Sequence, residues 1–192
     1  MNTMTIADRK KAMRRLVRTL KATLSPDQKV QAAQVLTTAA MAHPAIRSAQ
    51  VIVSFWPMPD EIDVAALNIS LATSGHDVYL PLMVGDSLHF HLFQGVNTLA
   101  PDPQYGILQP RQDAPTLHQS VLDSGGAGVV IITPGMAFAP DGRRLGRGRG
   151  FYDRAFATLP NATRIGVGFH CQLLNDVPTD ENDVLLHDVL LG

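Results

Sequence analysis

The residues best equipped for chemistry stand together in Gly142–Arg154, GRRLGRGRGFYDR, which holds four glycines and five of the chain's twelve arginines. It ends on the aromatic pair Phe151-Tyr152 followed by Asp153. Glycines let the backbone approach a ligand closely, and the free N–H groups at a helix start attract negative charge. Arginine adds a planar fork that grips phosphate oxygens two at a time. Spacing of this kind suits a phosphate-bearing ligand. The plainer alternative is a flexible basic loop or a segment contacting RNA without sequence preference. A fixed strand in front of the loop and Tyr-Asp at the following helix start favour a built anion site.

The elements around the loop must position it. Gly128-Val-Val-Ile-Ile-Thr-Pro134 is an apolar, β-branched run that predicts a buried strand, and Phe151 to Leu159 predicts a helix ending before Pro160. Upstream, residues 5–23 form an amphipathic pattern with Met13, Leu16, Val17 and Leu20 on one face and Lys10, Arg14 and Arg18 four apart on another. By pattern alone that basic face reads as solvated. Ser25-Pro26-Asp27-Gln28 predicts an N-cap, a first-turn proline and a capping box, opening a helix to about Met41.

Val51 to Phe55 predicts the first strand, followed by the irregular loop Trp56-Pro-Met-Pro-Asp-Glu-Ile-Asp63. Loops at the carboxyl ends of strands hold ligands in α/β sheets, so Glu61 is a candidate for a polar, N–H-rich group. The plainer reading makes it an ordinary charge ahead of a helix over about 63–74. Asp77 to Leu80 predicts a strand stopped by Pro81. Ser87 to Phe93 alternates, with Leu88, Phe90 and Leu92 on one side and His89 and His91 on a half-exposed other side. Residues 95–127 have little regular pattern and read as a covering segment. Arg164 to Phe169 and Val184 to Leu190 predict two further strands.

The net charge of −1 conceals segregation: residues 1–29 carry +6, residues 143–154 carry +4, and the rest carries −11. Two focused basic segments on an acidic body suit a compact polyanion, whereas a nucleic-acid binder usually presents a broad basic face. A hydrophobic fraction of 45% is ample for a core, and no apolar run approaches the roughly 20 residues of a membrane span. At 192 residues, one domain is expected. The first thirty residues lack the apolar stretch of a secretory signal, and the single Cys171 has no intramolecular partner. A cytoplasmic location and a structural thiol are expected.

Taken together, Lys10-x-x-x-Arg14, Trp56-Pro-Met-Pro-Asp-Glu61, Gly106-Ile-Leu-Gln-Pro110, Pro134-Gly-Met-Ala-Phe138, Arg144-Leu-Gly-Arg-Gly-Arg-Gly-Phe-Tyr-Asp153 and Glu181-Asn-Asp183 resemble the 5-formyltetrahydrofolate cyclo-ligase family over nearly the whole chain. The resemblance implies a three-layer α/β sandwich with a mostly parallel sheet, akin to the sugar-phosphate isomerase and CoA-transferase group (NagB/RpiA-like). It implies ATP-dependent ring closure of 5-formyltetrahydrofolate to 5,10-methenyltetrahydrofolate, with ATP and Mg²⁺ required. It places Lys10 and Arg14 on the triphosphate, against the solvated-face reading of their helix. The loop Arg144, Leu145, Gly146, Arg147, Gly148, Arg149, Gly150, Phe151 and Tyr152 would hold ATP. Lys10, Arg147, Arg149 and Tyr152 would take part in catalysis, and Asp153 and Asp183 would bind Mg²⁺. Trp56, Glu61, Met83, Tyr105 and Tyr152 would line the folate pocket. Reduced folate and ATP are the expected partners of a monomer, without nucleic acid or membrane.

Two departures stand out: Ala139 where the family often has Asp, and Phe151 where it often has Tyr. Neither removes an expected phosphate or metal ligand. The remaining alternatives are a divergent phosphotransfer or sugar-phosphate enzyme on the same fold and an RNA-associated protein.

Overall fold

In the computed structural model, residues 4–103, 106–181 and 183–192 are described. Helix α1 (Ile6–Ala22) is capped by the Thr5 side chain, which accepts the Asp8 N–H. The predicted capping box forms at Ser25 and Gln28 and opens α2 (Pro26–Ala42). A short α3 (Pro44–Ser48) follows, which the sequence pattern did not suggest. The chain continues through β1 (Val51–Val53), α4 (Ala65–Thr73), β2 (Asp77–Val84), β3 (Ser87–Leu92), β4 (Leu99–Pro101), β5 (Leu108–Pro110) and α5 (Gln119–Asp123). It closes with β6 (Val129–Pro134), β7 (Ala137–Phe138), β8 (Arg144–Leu145), α6 (Phe151–Thr158), β9 (Thr163–Gly168) and β10 (Asp188–Leu191).

Six strands make one sheet in the order β10-β9-β6-β1-β2-β3, and every neighbouring pair is parallel except β2 with β3. The central strands are apolar at nearly every position because both faces are covered. Ile52, Val78, Leu80, Val130, Ile132 and Ile165 face a core completed by α2, α3 and α4. Val53, Tyr79, Val129 and Ile131 face the opposite core, where α6 contributes Ala155 and Phe156. Among the described residues, no helix is long and apolar enough to cross a membrane.

Two sequence-based boundaries and one burial need correction. Pro81 does not stop β2, which runs on to Val84 paired with β3. Residues 79, 81 and 83 share one edge direction, and the Met83 N–H goes to Gln109 Oε1, away from β3. Pro81 therefore lacks an N–H only where no ladder needs one. The last strand begins at Asp188 instead of Val184, because the Leu186 N–H is taken by the Gly142 carbonyl, whereas the His187 N–H already reaches the Arg164 carbonyl of β9. His91 is buried rather than half-exposed: segment 111–118 covers β3, and His91 Nδ1 lies 2.8 Å from the Ala114 carbonyl.

Central strand β1 is only three residues long, while its neighbours β2 and β6 extend beyond its carboxyl end. The result is a gap in the sheet, into which the chain from Ser54 onward turns away. On the far side of the gap, the β7–β8 hairpin packs against α1 in a third cluster of Val17, Met136, Ala137, Ala139, Leu145 and Val177. Phe138 seats this hairpin, because a β-carbon on Gly135, Gly166 or Gly168 would collide with its ring. Gln172 locks the same corner by donating to the carbonyls of Gly135 (2.7 Å) and Met136 (3.1 Å).

Gly166 has no left-handed backbone angle, so an alanine there is conformationally tolerated and tests packing alone. Gly166→Ala should lower stability by about 1–3 kcal/mol in urea denaturation, the usual effect of overpacking. A change below about 0.5 kcal/mol would show that the Phe138 ring and the Leu186 side chain both have room to shift.

Candidate active site

The gap opens into a cleft of about 930 Å³. Lys10, Arg14, Trp56, Glu61, Met83, Asp183 and the whole run Arg144 to Asp153 border it. All the expected site residues that are described thus come to one place from five separate stretches of chain. Tyr105, expected in the folate pocket, lies outside the described residues.

Arg144 is 6% exposed and anchors the loop. Its Nη1 donates to the Pro134 carbonyl at 3.2 Å and its Nη2 to Asp153 Oδ1 at 2.9 Å. Its guanidinium lies 5.5 Å from the Tyr152 ring centre and 5.4 Å from that of Phe156, within the range of cation–π attraction. The end of β6, the loop and the start of α6 are thereby tied by one side chain. Arg144 Nε is buried without a partner.

Beyond Arg144 the chain runs through Gly146, Gly148 and Gly150. Gly148 (φ +103°) and Gly150 (φ +66°) take left-handed backbone angles that side chains resist. A β-carbon at 148 would lie 3.3 Å from the Arg14 guanidinium, and one at 150 would lie 3.0 Å from that of Arg154. Arg14 Nε reaches across to donate to the Gly146 carbonyl at 2.8 Å. Gly150 is the N-cap of α6 and supplies no side-chain acceptor for the first-turn N–H groups. A concave backbone walled by guanidinium groups is a fitting cradle for a polyphosphate.

Three of the expected phosphate-binding cations, Lys10, Arg144 and Arg147, are held by carboxylates. Lys10 Nζ donates to Asp180 at 2.8 Å and to Asp183 at 2.5 Å, with its side chain 12% exposed. Burial works against the Lys10 charge, but these two acids outweigh it and raise its pKa. The solvated-face reading of α1 therefore fails for Lys10 and Arg14, although Lys11, Arg15 and Arg18 are exposed as that reading expects. Arg147 crosses the cleft to hydrogen-bond Asp60 Oδ1 and, at 3.0 Å, Glu61 Oε1. Burial opposes the Asp60 charge, yet hydrogen bonds from Arg147 and Lys21 hold its carboxyl below the usual value. Glu61 Oε2 also accepts the Met58 N–H at 3.0 Å, which fixes the carboxylate within its own loop.

Asp153 and Asp183 line the same cleft, each occupied by a cation of the chain itself. Among the described residues, no group of three or more His, Cys, Asp or Glu side chains could cage a metal. Two carboxylates fit a magnesium ion that takes its remaining ligands from phosphate oxygens and water. Burial, followed by the nearby Glu61 charge, pushes the Tyr152 phenol far above its ordinary pKa. Tyr152 is therefore a neutral hydrogen-bond donor at working pH, not a base. Trp56 borders the cleft and is backed from the core by Phe93, 6.0 Å away between ring centres.

A model of the 5-formyltetrahydrofolate cyclo-ligase family matches residues 6–192. The chain belongs to that family. By that membership it is an enzyme of the ligase class. A 5-formyltetrahydrofolate cyclo-ligase of Haemophilus influenzae is 33% identical over 189 residues, covering 96% of this chain and 98% of its own length. One of Escherichia coli K12 is 30% identical over 187 residues, covering 91% and 96%. Among solved structures, the 5,10-methenyltetrahydrofolate synthetase of Aquifex aeolicus superposes with a TM-score of 0.79 at 21% identity, covering 94% of this chain and 88% of that one. The Mycoplasma pneumoniae synthetase gives 0.70 at 21%, covering 95% and 98%. At that identity the two structures bear on the fold alone.

Several cleft residues were not singled out in the sequence. Asp180 and Arg154 border the cleft, as does Gln109, whose side chain accepts the Met83 N–H. Gln109 stands inside the recognised Gly-Ile-Leu-Gln-Pro motif, so a signal was present. Asp60 likewise stands inside the Trp56-Pro-Met-Pro-Asp-Glu61 motif, whereas Lys21 carried no signal, because its pairing with Asp60 joins positions 39 apart.

The Arg144–Asp153 pair separates a structural from a chemical role for Asp153. Asp153→Ala should lower stability by about 1–3 kcal/mol in urea denaturation, since it strands a buried guanidinium whose partner is one-third exposed. Asp153→Asn keeps an acceptor for Arg144 and should cost less, about 1 kcal/mol.

Proposed function

We propose that this chain catalyses the ATP- and Mg²⁺-dependent closure of 5-formyltetrahydrofolate to 5,10-methenyltetrahydrofolate, releasing ADP and phosphate. The observation that carries the reading is the convergence of a glycine–arginine cradle and an aromatic–carboxylate wall on one cleft, within a chain of this family. The layered sheet also supports our reading of the architecture as NagB/RpiA-like.

Lys10, Arg14 and the loop from Arg144 to Tyr152 would bind the triphosphate. Asp153 and Asp183 would hold Mg²⁺, which neutralises phosphate charge when bound. The reduced pterin would lie between Trp56 and Tyr152, near Met83, with Glu61 accepting its N–H groups.

An amide oxygen is a poor leaving group, and phosphorylation corrects that. The formyl oxygen attacks the γ-phosphorus, the bond to the β-phosphate bridging oxygen breaks, and ADP leaves. The resulting imidate phosphate keeps its carbon bonded to N5. N10 then attacks that carbon, phosphate departs with the former formyl oxygen, and N10 gives up its proton. Phosphoryl transfer asks the protein for alignment and charge stabilisation, which Arg147, Arg149, Lys10 and the Tyr152 hydroxyl supply without a covalent nucleophile. Cys171 fits no step: it is a free thiol packed beside the α2 core, and burial pushes its pKa up.

Purified protein with 5-formyltetrahydrofolate, ATP and Mg²⁺ should develop the near-ultraviolet band of the methenyl product, and omitting either ATP or Mg²⁺ should abolish it. No band from folded protein that binds ATP would redirect the proposal to another substrate on the same cradle.

Arg147→Ala should reduce kcat by about 10²-fold or more, as loss of a charge-stabilising donor does. Glu61→Gln should raise the folate KM by about tenfold while nucleotide affinity stays nearly constant. Steady-state kinetics varying one substrate at a time, with nucleotide binding by calorimetry, checks both.

A further inference from the structure

Two lysine or arginine side chains are fully buried among the described residues: Arg144, which belongs to the cleft, and Lys21, which does not border it. Lys21 is 4% exposed in the last turn of α1. Its Nζ donates to the Asp60 carbonyl at 2.6 Å and to Asp60 Oδ2 at 2.9 Å. We propose that Lys21 is a positioning residue for the cyclo-ligase reaction, holding Asp60 so that Glu61 alone becomes available to the folate. This rests on the reading of Glu61 as the folate contact.

The first argument is geometric. The carbonyl that Lys21 grips belongs to the peptide joining Asp60 to Glu61. One residue on, the Glu61 N–H donates to the Met58 carbonyl at 2.9 Å and Glu61 Oε2 accepts from the Met58 N–H. The Glu61 backbone and carboxylate are thus clamped locally, and Lys21 fixes the clamp to α1. Lys10 and Arg14 sit 11 and 7 residues earlier on that helix, so Lys21 lies about 16 Å along its axis from Lys10. One rigid element carries the cations expected on the nucleotide and the anchor of the loop expected on the folate.

The second argument is electrostatic. Asp60 and Glu61 are adjacent carboxylates that share one guanidinium, Arg147. When Arg147 turns to phosphate oxygens, both acids lose that partner together. Asp60 keeps Lys21, remains compensated and stays in place. Glu61 is left with the Met58 N–H and a vacant oxygen facing the cleft. Lys21 thereby decides which of two neighbouring acids receives the substrate. A buried lysine that only tied α1 to the loop would be paired as well, but its loss would not distinguish one substrate from the other.

The test compares the full-length wild type with Lys21→Met, which keeps the stem and removes the charge, and Lys21→Arg, which keeps the charge. Kinetics with 5-formyltetrahydrofolate and Mg²⁺-ATP, each varied separately, are measured beside thermal melting. Lys21→Met should raise the folate KM about tenfold with the ATP KM within about twofold, and Lys21→Arg should recover part of the loss. Unchanged constants in Lys21→Met, whatever its Tm, would overturn the proposal, as would equal rises in both KM values. If Lys21→Met does not fold, Asp60→Asn replaces it, and an unchanged folate KM there overturns the proposal. A wild type that is folded yet silent on 5-formyltetrahydrofolate would instead remove the functional reading on which the proposal stands.

Discussion

The cleft depends on one buried guanidinium. Arg144 joins the carbonyl that ends β6 to the carboxylate that opens α6, and it lies against the rings of Tyr152 and Phe156. A charge with 6% exposure persists only where it is paired and its desolvation is offset. Asp153, the Pro134 carbonyl and the two ring faces provide that. The glycines beyond Arg144 have no side chains to hold their conformation, so the loop takes its shape from its two ends and from the Arg14 and Arg154 side chains that grip its carbonyls. Arg144 fixes one end and the left-handed Gly150 cap fixes the other.

From that anchor the charges of the cleft follow a common pattern. Cations reach it from α1 and from the loop, carboxylates from Asp60, Glu61, Asp153, Asp180 and Asp183, and Lys10, Arg144 and Arg147 each rest on an opposite charge. The charge segregation along the chain is largely undone in space. Two basic segments and the acidic body meet at the cleft, so the folded site carries ion-paired cations rather than a bare basic patch.

Much of this was legible in the sequence because it is written locally. The β-branched run before the loop, the Ser25–Gln28 capping box and the Gly-Arg spacing each declare themselves within a few residues. Motif resemblance then gathered Lys10, Trp56, Glu61 and Asp183 into one site, and the structure brings them to one cleft. What was not legible depends on partners distant in sequence. The basic face of α1 looks solvated until Asp180 and Asp183 arrive, and Pro81 looks like a stop until its edge is seen to face a gap. The burial of His91 needs segment 111–118, and the late start of β10 needs Gly142. Nothing local marks Lys21, whose buried place depends on Asp60, 39 residues away.

The brevity of β1 has a consequence of its own. The cleft exists because a three-residue strand lies between longer neighbours, so its depth is a property of backbone length and not of the side chains along its walls. Substitutions at Trp56, Met83 or Leu88 can alter what the walls prefer while the floor stays where Val53 leaves it. The converse also holds: two more residues of β1 pairing would fill the opening without changing the identity of any ligand-facing residue. A chain built this way can diversify its binding preferences by point mutation, and it is vulnerable chiefly to insertions at one short place.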